Sequence, residues 1–537
     1  MKRFLKTVLC ASLVLAALVP ADARKKKKDE PAVKYVFYMI GDGMGVNQVI
    51  GTELYNAATG YGPARINFAH FPVRNFITTV SGSSLVTDSA AGGTALATGV
   101  KTYNNAVGVD MDGNPVSNIA EWAKENGYGV GVATTVGINH ATPACFISHT
   151  AQRGSYEEIA FQYLHAKVDF AAGAGFIVER NTGHDNAFFQ TEARGAGIKV
   201  FHGPDFSDVT SADGRVLCLS GKDEAELPYA IDRKADDTSL SDFVDAGIRY
   251  LDAKFGDKGF FFMIEGGKID YGGHADDAAA CFQELTDFAN AMDLVIAFCE
   301  KHPDETLIVV TADHETGGLE LGSGQYEMHP EYLAGMKSSI TGVTAKFREA
   351  FFPQPQQGQG GRGGQGQGQG RPQGPPQGQG QGQGQGRQGP PQGVGLGQGR
   401  PQGAPQGARP PFAAQQEPSV PTWEAVKDFF RENLGLWGAV SVNARTEATL
   451  KETYDRTFGV GGDRENNVAN LYSVNTRLVT EAVDVLTRAA GYQWSHGAHT
   501  GSPVGLYVTG KCAEAFNQVE DNAQIAPLIA ELAGYKH

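Results

Sequence analysis

The sequence is short of cysteine, of basic charge and of long apolar runs. It has 6 cysteines in 537 residues. Apart from Cys10 they are Cys145, Cys218, Cys281, Cys299 and Cys512, scattered and odd in number. That excludes a dense disulfide framework and allows one or two bridges at most. Lys and Arg number 45 against 60 Asp and Glu, a formal net charge of −15. Such a surface argues against general binding to nucleic acid or to anionic membranes. An anionic substrate must therefore meet local cations, from arginine or from metal. No apolar stretch reaches the ~20 residues that a spanning helix needs.

Both ends of the compositional range are informative. Lys2, Arg3 and Lys6 precede the apolar run Val8–Val19, and Ala21-Asp22-Ala23 offers small residues for cleavage. Residues 1–23 thus read as a secretory leader, predicting a periplasmic or secreted protein after cleavage near Ala23. Retention of the run as an N-terminal anchor stays open. Residues 24–34, with the Lys25–Lys28 run, read as a flexible basic start. Residues 353–416 are almost wholly Gln, Gly and Pro, with Arg362, Arg371, Arg387, Arg400 and Arg409 and no acid. A segment with so little to bury is expected to be disordered, as a passive spacer or a weak polyanion tether. Its flanks, Glu331–Phe351 and Pro421–Ala490, carry helical patterns. They predict a helical insertion over 321–490 between two parts of a catalytic core, 35–320 and 491–537.

Tyr35–Ile40, Val130–Thr135, Phe260–Ile264 and Leu307–Thr311 are near-continuous apolar runs. Strands buried on both faces of a parallel sheet read this way. Helical patterns intervene at Asn118–Asn126 and Asp276–Lys301, where Leu285, Phe288, Met292 and Val295 share a face. The alternation predicts an α/β doubly wound fold, with helices on both sides of a mostly parallel sheet. Gly505–Gly510 reads as a last strand and Ala523–Ala533 as a closing helix. Gly272-Gly273 favours a loop between Asp270 and His274.

Acids and imidazoles follow these strands. Asp42 ends the first, Glu265 and Asp270 follow another, and Asp313-His314 end a further one. Open parallel sheets bind ligands at the carboxyl ends of their strands. Solvated loop acids explain each residue singly but explain the convergence poorly. Asp42, Thr142, Glu265, Asp270, His274, Asp313, His314 and His499 combine hard oxygen donors with three imidazoles. That set suits Zn²⁺, with a neighbouring oxygen-only site for Mg²⁺. At Leu85–Gly99 (LVTDSAAGGTALATG), Asp88 and Ser89 fall at the start of a helix of small residues. A helix N-terminus favours an anion. The pair reads either as a helix cap or as a nucleophile beside a phosphate site.

The strings IGDGMG (40–45), VTDSAAGGTALATG (86–99), HATPACFISHTAQR (140–153), EGGKIDYGGH (265–274), TADHETGG (311–318) and HTGSPV (499–504) occur in that order. The chain in this respect resembles the secreted bacterial alkaline phosphatases that use two zinc ions, one magnesium ion and a serine nucleophile. The resemblance implies an α/β/α sandwich and hydrolysis of phosphate monoesters. It implies that Asp270, His274 and His499 hold one zinc, and that Asp42, Asp313 and His314 hold the other, with Asp42 bridging towards magnesium. Thr142 and Glu265 would complete the magnesium site, Ser89 would be the nucleophile, and Arg153 would grip the phosphoryl group. Asp88 would position Arg153 or the metal shell. His140 stands where some bacterial members carry an acid near magnesium, and Tyr271 where members commonly have Lys or His. Family members are often dimers, which leaves a homodimer open. The competing readings are a phosphodiesterase of the same superfamily and a secreted metal- or polyanion-binding protein without catalysis. Deleting residues 354–416 tests the spacer reading: turnover and metal content should stay near normal, and a large loss of either would refute it.

Overall fold

The computed structural model describes residues 33–180, 182–222, 224–322, 326–352, 420–459 and 467–537, with the backbone alone over 467–476. The leader at 1–23, most of the basic start at 24–34 and the low-complexity stretch at 353–416 lie outside these residues.

The apolar run Tyr35–Gly41 forms β1, buried at every position. It lies between Phe260–Gly266 (β7) and Thr306–Thr311 (β8), parallel to both. The remaining strands of this sheet are Val73–Ile77 (β2), Gly129–Thr134 (β3), Phe170–Gly173 (β4), Ile198–His202 (β5), Arg215–Leu219 (β6) and Val504–Gly510 (β13). Their order is β2-β13-β8-β1-β7-β3-β4-β6-β5. Pairing is parallel from β8 to β5, while β13 runs antiparallel to both β8 and β2. The carboxyl ends of β8, β1, β7 and β3 are therefore neighbours along one edge. Asp313-His314, Asp42 and Glu265 are delivered there by backbone pairing rather than by chance loop approach. This is the fold of an α/β protein with a mostly parallel central sheet and helices around it.

Helices cover the sheet as the periodicity predicts. The helix Ala278–Lys301 buries Leu285, Phe288, Met292 and Val295. Its N-cap, Asp277, accepts from the Ala280 amide at 2.9 Å and from the Ile340 amide at 2.7 Å. One carboxylate thus caps a core helix and anchors the next helix, Ile340–Phe351. That helix packs with Trp423–Leu434 and Ala444–Phe458 through an aromatic cluster in which Phe347 stacks on Phe430 at 5.7 Å. Two further short pairings complete the described strands. Glu320–Leu321 (β10) pairs with Tyr492–Gln493 (β11), and Glu315–Thr316 (β9) with His499–Thr500 (β12).

One expectation needs correction. Residues 268–274 form a helix rather than a loop. A Cβ at Gly272 would stand 2.8 Å from the Cys281 Cα, and one at Gly273 would stand 3.0 Å from the Thr316 carbonyl oxygen. The glycines permit close packing of an intact helix, and this packing outweighs their poor helix propensity. Among the described residues Cys145, Cys218, Cys281, Cys299 and Cys512 are all free. No described helix is long and apolar enough to cross a membrane.

Candidate metal-dependent active site

Ser89 opens the helix Ser89–Thr98, and Asp88 is its N-cap, accepting from the Ala91 amide at 3.1 Å. The cap and nucleophile readings are thus divided between two residues: Asp88 caps, and the Ser89 hydroxyl is left for other contacts. Ser89 is buried, and its Oγ lies 3.1 Å from His314 Nε2. Small residues let this helix approach the acids. A Cβ at Gly92 would fall 2.7 Å from the Asp313 carbonyl oxygen.

Three groups of candidate ligands surround this point. An outer group contains Asp270, His274 and His499, and an inner group contains Asp42, Asp313 and His314. A third contains Asp42, His140 and Glu265, so Asp42 belongs to two groups. Within each group the candidate ligand atoms lie within 4.8 Å of one another. His140, expected only as a neighbour of the site, sits inside the third group. Thr142 Oγ1 lies between the groups, 3.3 Å from both Asp42 Oδ2 and Asp313 Oδ2. The inner group is sealed from solvent, while His274 in the outer group is exposed. Solvent and substrate therefore reach the cluster from the outer side.

The electrostatics call for cations. Asp42, Glu265, Asp270 and Asp313 are all buried. Burial foremost, then the charges of Asp313, Asp270 and Glu265, pushes the Asp42 carboxyl well above its ordinary range. Burial and the neighbouring acids do the same to Asp313. Glu265 is raised to about 7, again chiefly by burial. Asp270 differs: burial works to raise it, but the imidazoles of His274, His499 and His314 hold it below its ordinary value. Asp42 Oδ1 and Glu265 Oε1 are buried and make no hydrogen bond among the described residues. Such groups are costly unless a positive partner meets them.

The histidines lead to the same requirement. His274 Nδ1 lies 2.9 Å from the Gly497 carbonyl, and His499 Nδ1 lies 2.9 Å from the Thr87 carbonyl. A carbonyl only accepts, so both Nδ1 atoms carry the proton and both Nε2 atoms present lone pairs. Those two Nε2 atoms face each other at 3.1 Å beside Asp270. Two lone pairs and a carboxylate converging on one point need a cation between them. Imidazole fixed through its far nitrogen by a carbonyl is how proteins orient metal-binding histidines.

Arg153 lies beside Ser89's helix with its two ends engaged. Nη1 donates to Asp88 Oδ2 at 3.2 Å, and Nη2 donates to His140 Nε2 at 3.3 Å. Asp88 therefore caps the helix and orients the arginine together. The Tyr271 ring stands edge-on to His140, with centroids 6.0 Å apart. The residue pattern does not single out Thr134, which donates to Glu265, or Glu315 and Thr316, which directly follow Asp313-His314 in the TADHETGG string. The strand alternation after His314 is the signal that would have found Thr316, because residues 314 and 316 share a face.

A mostly parallel α/β sheet with buried acids and oriented imidazoles at its carboxyl edge places the protein among α/β proteins with a candidate metal centre. The comparisons narrow that class. The family model described as alkaline phosphatase matches residues 33–171 and 211–356. Alkaline phosphatase 4 of Bacillus subtilis (strain 168) is 34% identical over 338 residues, covering 61% of this chain and 71% of the relative. Alkaline phosphatase 3 of the same organism is 35% identical over 360 residues, covering 64% and 75%. The crystal structure of a cold-active alkaline phosphatase from a psychrophilic Shewanella sp. superposes with a TM-score of 0.64 at 26% identity, covering 93% of this chain and 99% of that one. The chain belongs to the alkaline phosphatase family, whose members are metal-dependent phosphatases.

Stripping divalent cations with EDTA should lower Tm, and restoring them should raise it, by about 4 kcal/mol of linkage at a thousandfold excess over Kd. Because the cations displace protons from raised carboxyls, binding should release protons, read as a buffer-dependent calorimetric enthalpy. A Tm and an enthalpy indifferent to cation and buffer would contradict this reading of the acids.

Proposed function

We propose that the protein hydrolyses phosphate monoesters to an alcohol and inorganic phosphate through a phosphoserine at Ser89. In this reading two zinc ions are held by the outer and inner groups, and a magnesium ion by Asp42, Thr142 and Glu265, with His140 beside it. The observation that carries the proposal is the position of Ser89 Oγ. It stands at a helix N-terminus, 3.1 Å from an inner-group imidazole, next to an arginine already oriented by Asp88 and His140.

When bound, the metal ions supply Lewis-acid charge, which lowers the pKa of a hydroxyl or a water and offsets charge on phosphoryl oxygens. The chain's own residues do the rest. Arg153 offers a planar fork to two phosphoryl oxygens, a bidentate match that lysine lacks. Asp88 holds that fork in place and also fixes the first turn of the Ser89 helix, so nucleophile and phosphoryl clamp share one anchor. The N-terminal amides of that helix favour the anion. Ser89 Oγ loses its proton and bonds to phosphorus as the ester P–O bond breaks and the leaving oxygen takes up a proton. Water then attacks the phosphoserine, the Oγ–P bond breaks, and serine and phosphate are regenerated. Action outside the cytoplasm rests on the leader-like residues 1–23.

Metal-loaded protein should turn over p-nitrophenyl phosphate at alkaline pH and lose that turnover in EDTA. Bis-p-nitrophenyl phosphate should be a poor substrate; equal or better hydrolysis of the diester would favour a phosphodiesterase. Ser89→Ala should lower kcat by at least a thousandfold while retaining the bound cations, and near-normal turnover would remove Ser89 from the chemistry. Tyr271→Lys adds a cation beside the His140–Arg153 contact, so it should lower the inhibition constant of inorganic phosphate. An unchanged constant would place Tyr271 outside the phosphate's field.

A further inference from the structure

The ribbon of β9 and β12 divides its side chains between two faces. Glu315 and Thr500 are cross-strand partners, as are Thr316 and His499. Glu315 accepts from Gln48 Nε2 at 2.6 Å, from the Gly318 amide at 3.0 Å and from the Thr500 hydroxyl. That face fastens the ribbon to the helix Val46–Thr59, which follows the Asp42 turn. The opposite face presents a single buried hydroxyl to two of the candidate ligand groups.

Thr316 Oγ1 lies 2.6 Å from Asp270 Oδ1, in the outer group, and 3.1 Å from His314 Nδ1, in the inner group. A hydroxyl carries one proton, and an ionised carboxylate only accepts. The proton therefore goes to Asp270, and the Thr316 oxygen accepts from His314 Nδ1–H. His314 is thereby held as the tautomer whose Nε2 lone pair faces Asp42 Oδ1 at 3.3 Å and Asp313 Oδ2 at 3.5 Å. The Thr316 amide donates to the Gly43 carbonyl at 3.2 Å. Gly43 has φ +68°, and a Cβ there would fall 2.7 Å from Thr316 Oγ1. The turn after Asp42 thus closes over the hydroxyl.

We propose that Thr316 is a positioning residue that couples the outer and inner cation sites. Its hydroxyl orients Asp270 of one and fixes the His314 tautomer of the other, so a cation bound at either site favours binding at the second. The first cation to bind orders the Asp270–Thr316–His314 chain, and the second finds its ligands already set. This inference rests on the reading of both groups as cation sites, and the experiment separates the two claims.

Full-length wild type, Thr316→Val and Thr316→Ser are stripped with chelator and titrated with Zn²⁺ alone, in competition with a chromophoric chelator. Wild type should bind two ions at these groups with positive coupling. Thr316→Val, which keeps the shape and removes the hydroxyl, should weaken both ions by 10–100-fold, the range typical of lost partners behind a ligand, and abolish the coupling. Thr316→Ser should bind both as wild type does. Histidine-selective ¹⁵N labelling gives a readout that a merely structural role would not move: the His314 Nδ1–H signature should persist in wild type and Thr316→Ser and change in Thr316→Val. Failure of wild type to bind two ions overturns both the site reading and the coupling. Two ions bound with unchanged affinities in Thr316→Val, or a loss at only one site, overturns the coupling alone. Should Thr316→Val fail to fold, a Thr316→Ser variant that loses affinity, or a wild-type His314 protonated at Nε2, overturns it equally.

Discussion

Like charges held together away from water are the constraint on which the rest of this structure depends. Four carboxylates, Asp42, Glu265, Asp270 and Asp313, are buried at the carboxyl edge of one sheet. Each buried ion costs several kcal/mol unless it is matched. Hydrogen bonds from Thr134, Thr142 and Thr316 meet part of that cost. They cannot supply positive charge. Protons can, which is why Glu265, Asp42 and Asp313 are pushed upwards in pKa. Divalent cations can as well, and the paired Nε2 lone pairs of His274 and His499 favour them over protons. The fold holds a cluster that is incomplete without cations, and the family's metal dependence follows from that physics.

The same edge explains the placement of Ser89. Its helix reaches the inner group because Gly92 leaves room against Asp313, and Asp88 links the helix start to Arg153. The proposed nucleophile, the proposed anion clamp and the candidate cation groups are thus held by separate segments locked to one rigid sheet. Such preorganisation is what phosphoryl transfer demands, since its catalysis consists largely of positioning and charge stabilisation.

Much of this was legible in the residues. Strands such as Tyr35–Gly41 announce themselves by unbroken apolar character, because parallel strands covered on both faces have no solvent side to mark. Asp42, Glu265 and Asp313 were legible because each ends such a run. What the residue pattern concealed depends on packing. The glycine pair at 272–273 read as a loop because propensity is local, whereas its cause lies against Cys281 and Thr316. His140 read as a neighbour rather than a group member because its distance to Asp42 and Glu265 is set by the fold. Thr316 and Glu315 stayed silent because a hydroxyl or an acid beside a histidine carries no chemical signature until its strand face is known.

The most direct measurement is acid quench during turnover of a phosphate monoester, followed by mass spectrometry of the peptide that contains Ser89. The account predicts phosphate esterified to Ser89 in cation-loaded protein and none in EDTA-treated protein. Turnover with phosphate attached to another residue, or with no covalent phosphate under conditions where hydrolysis of the intermediate limits the rate, would contradict it.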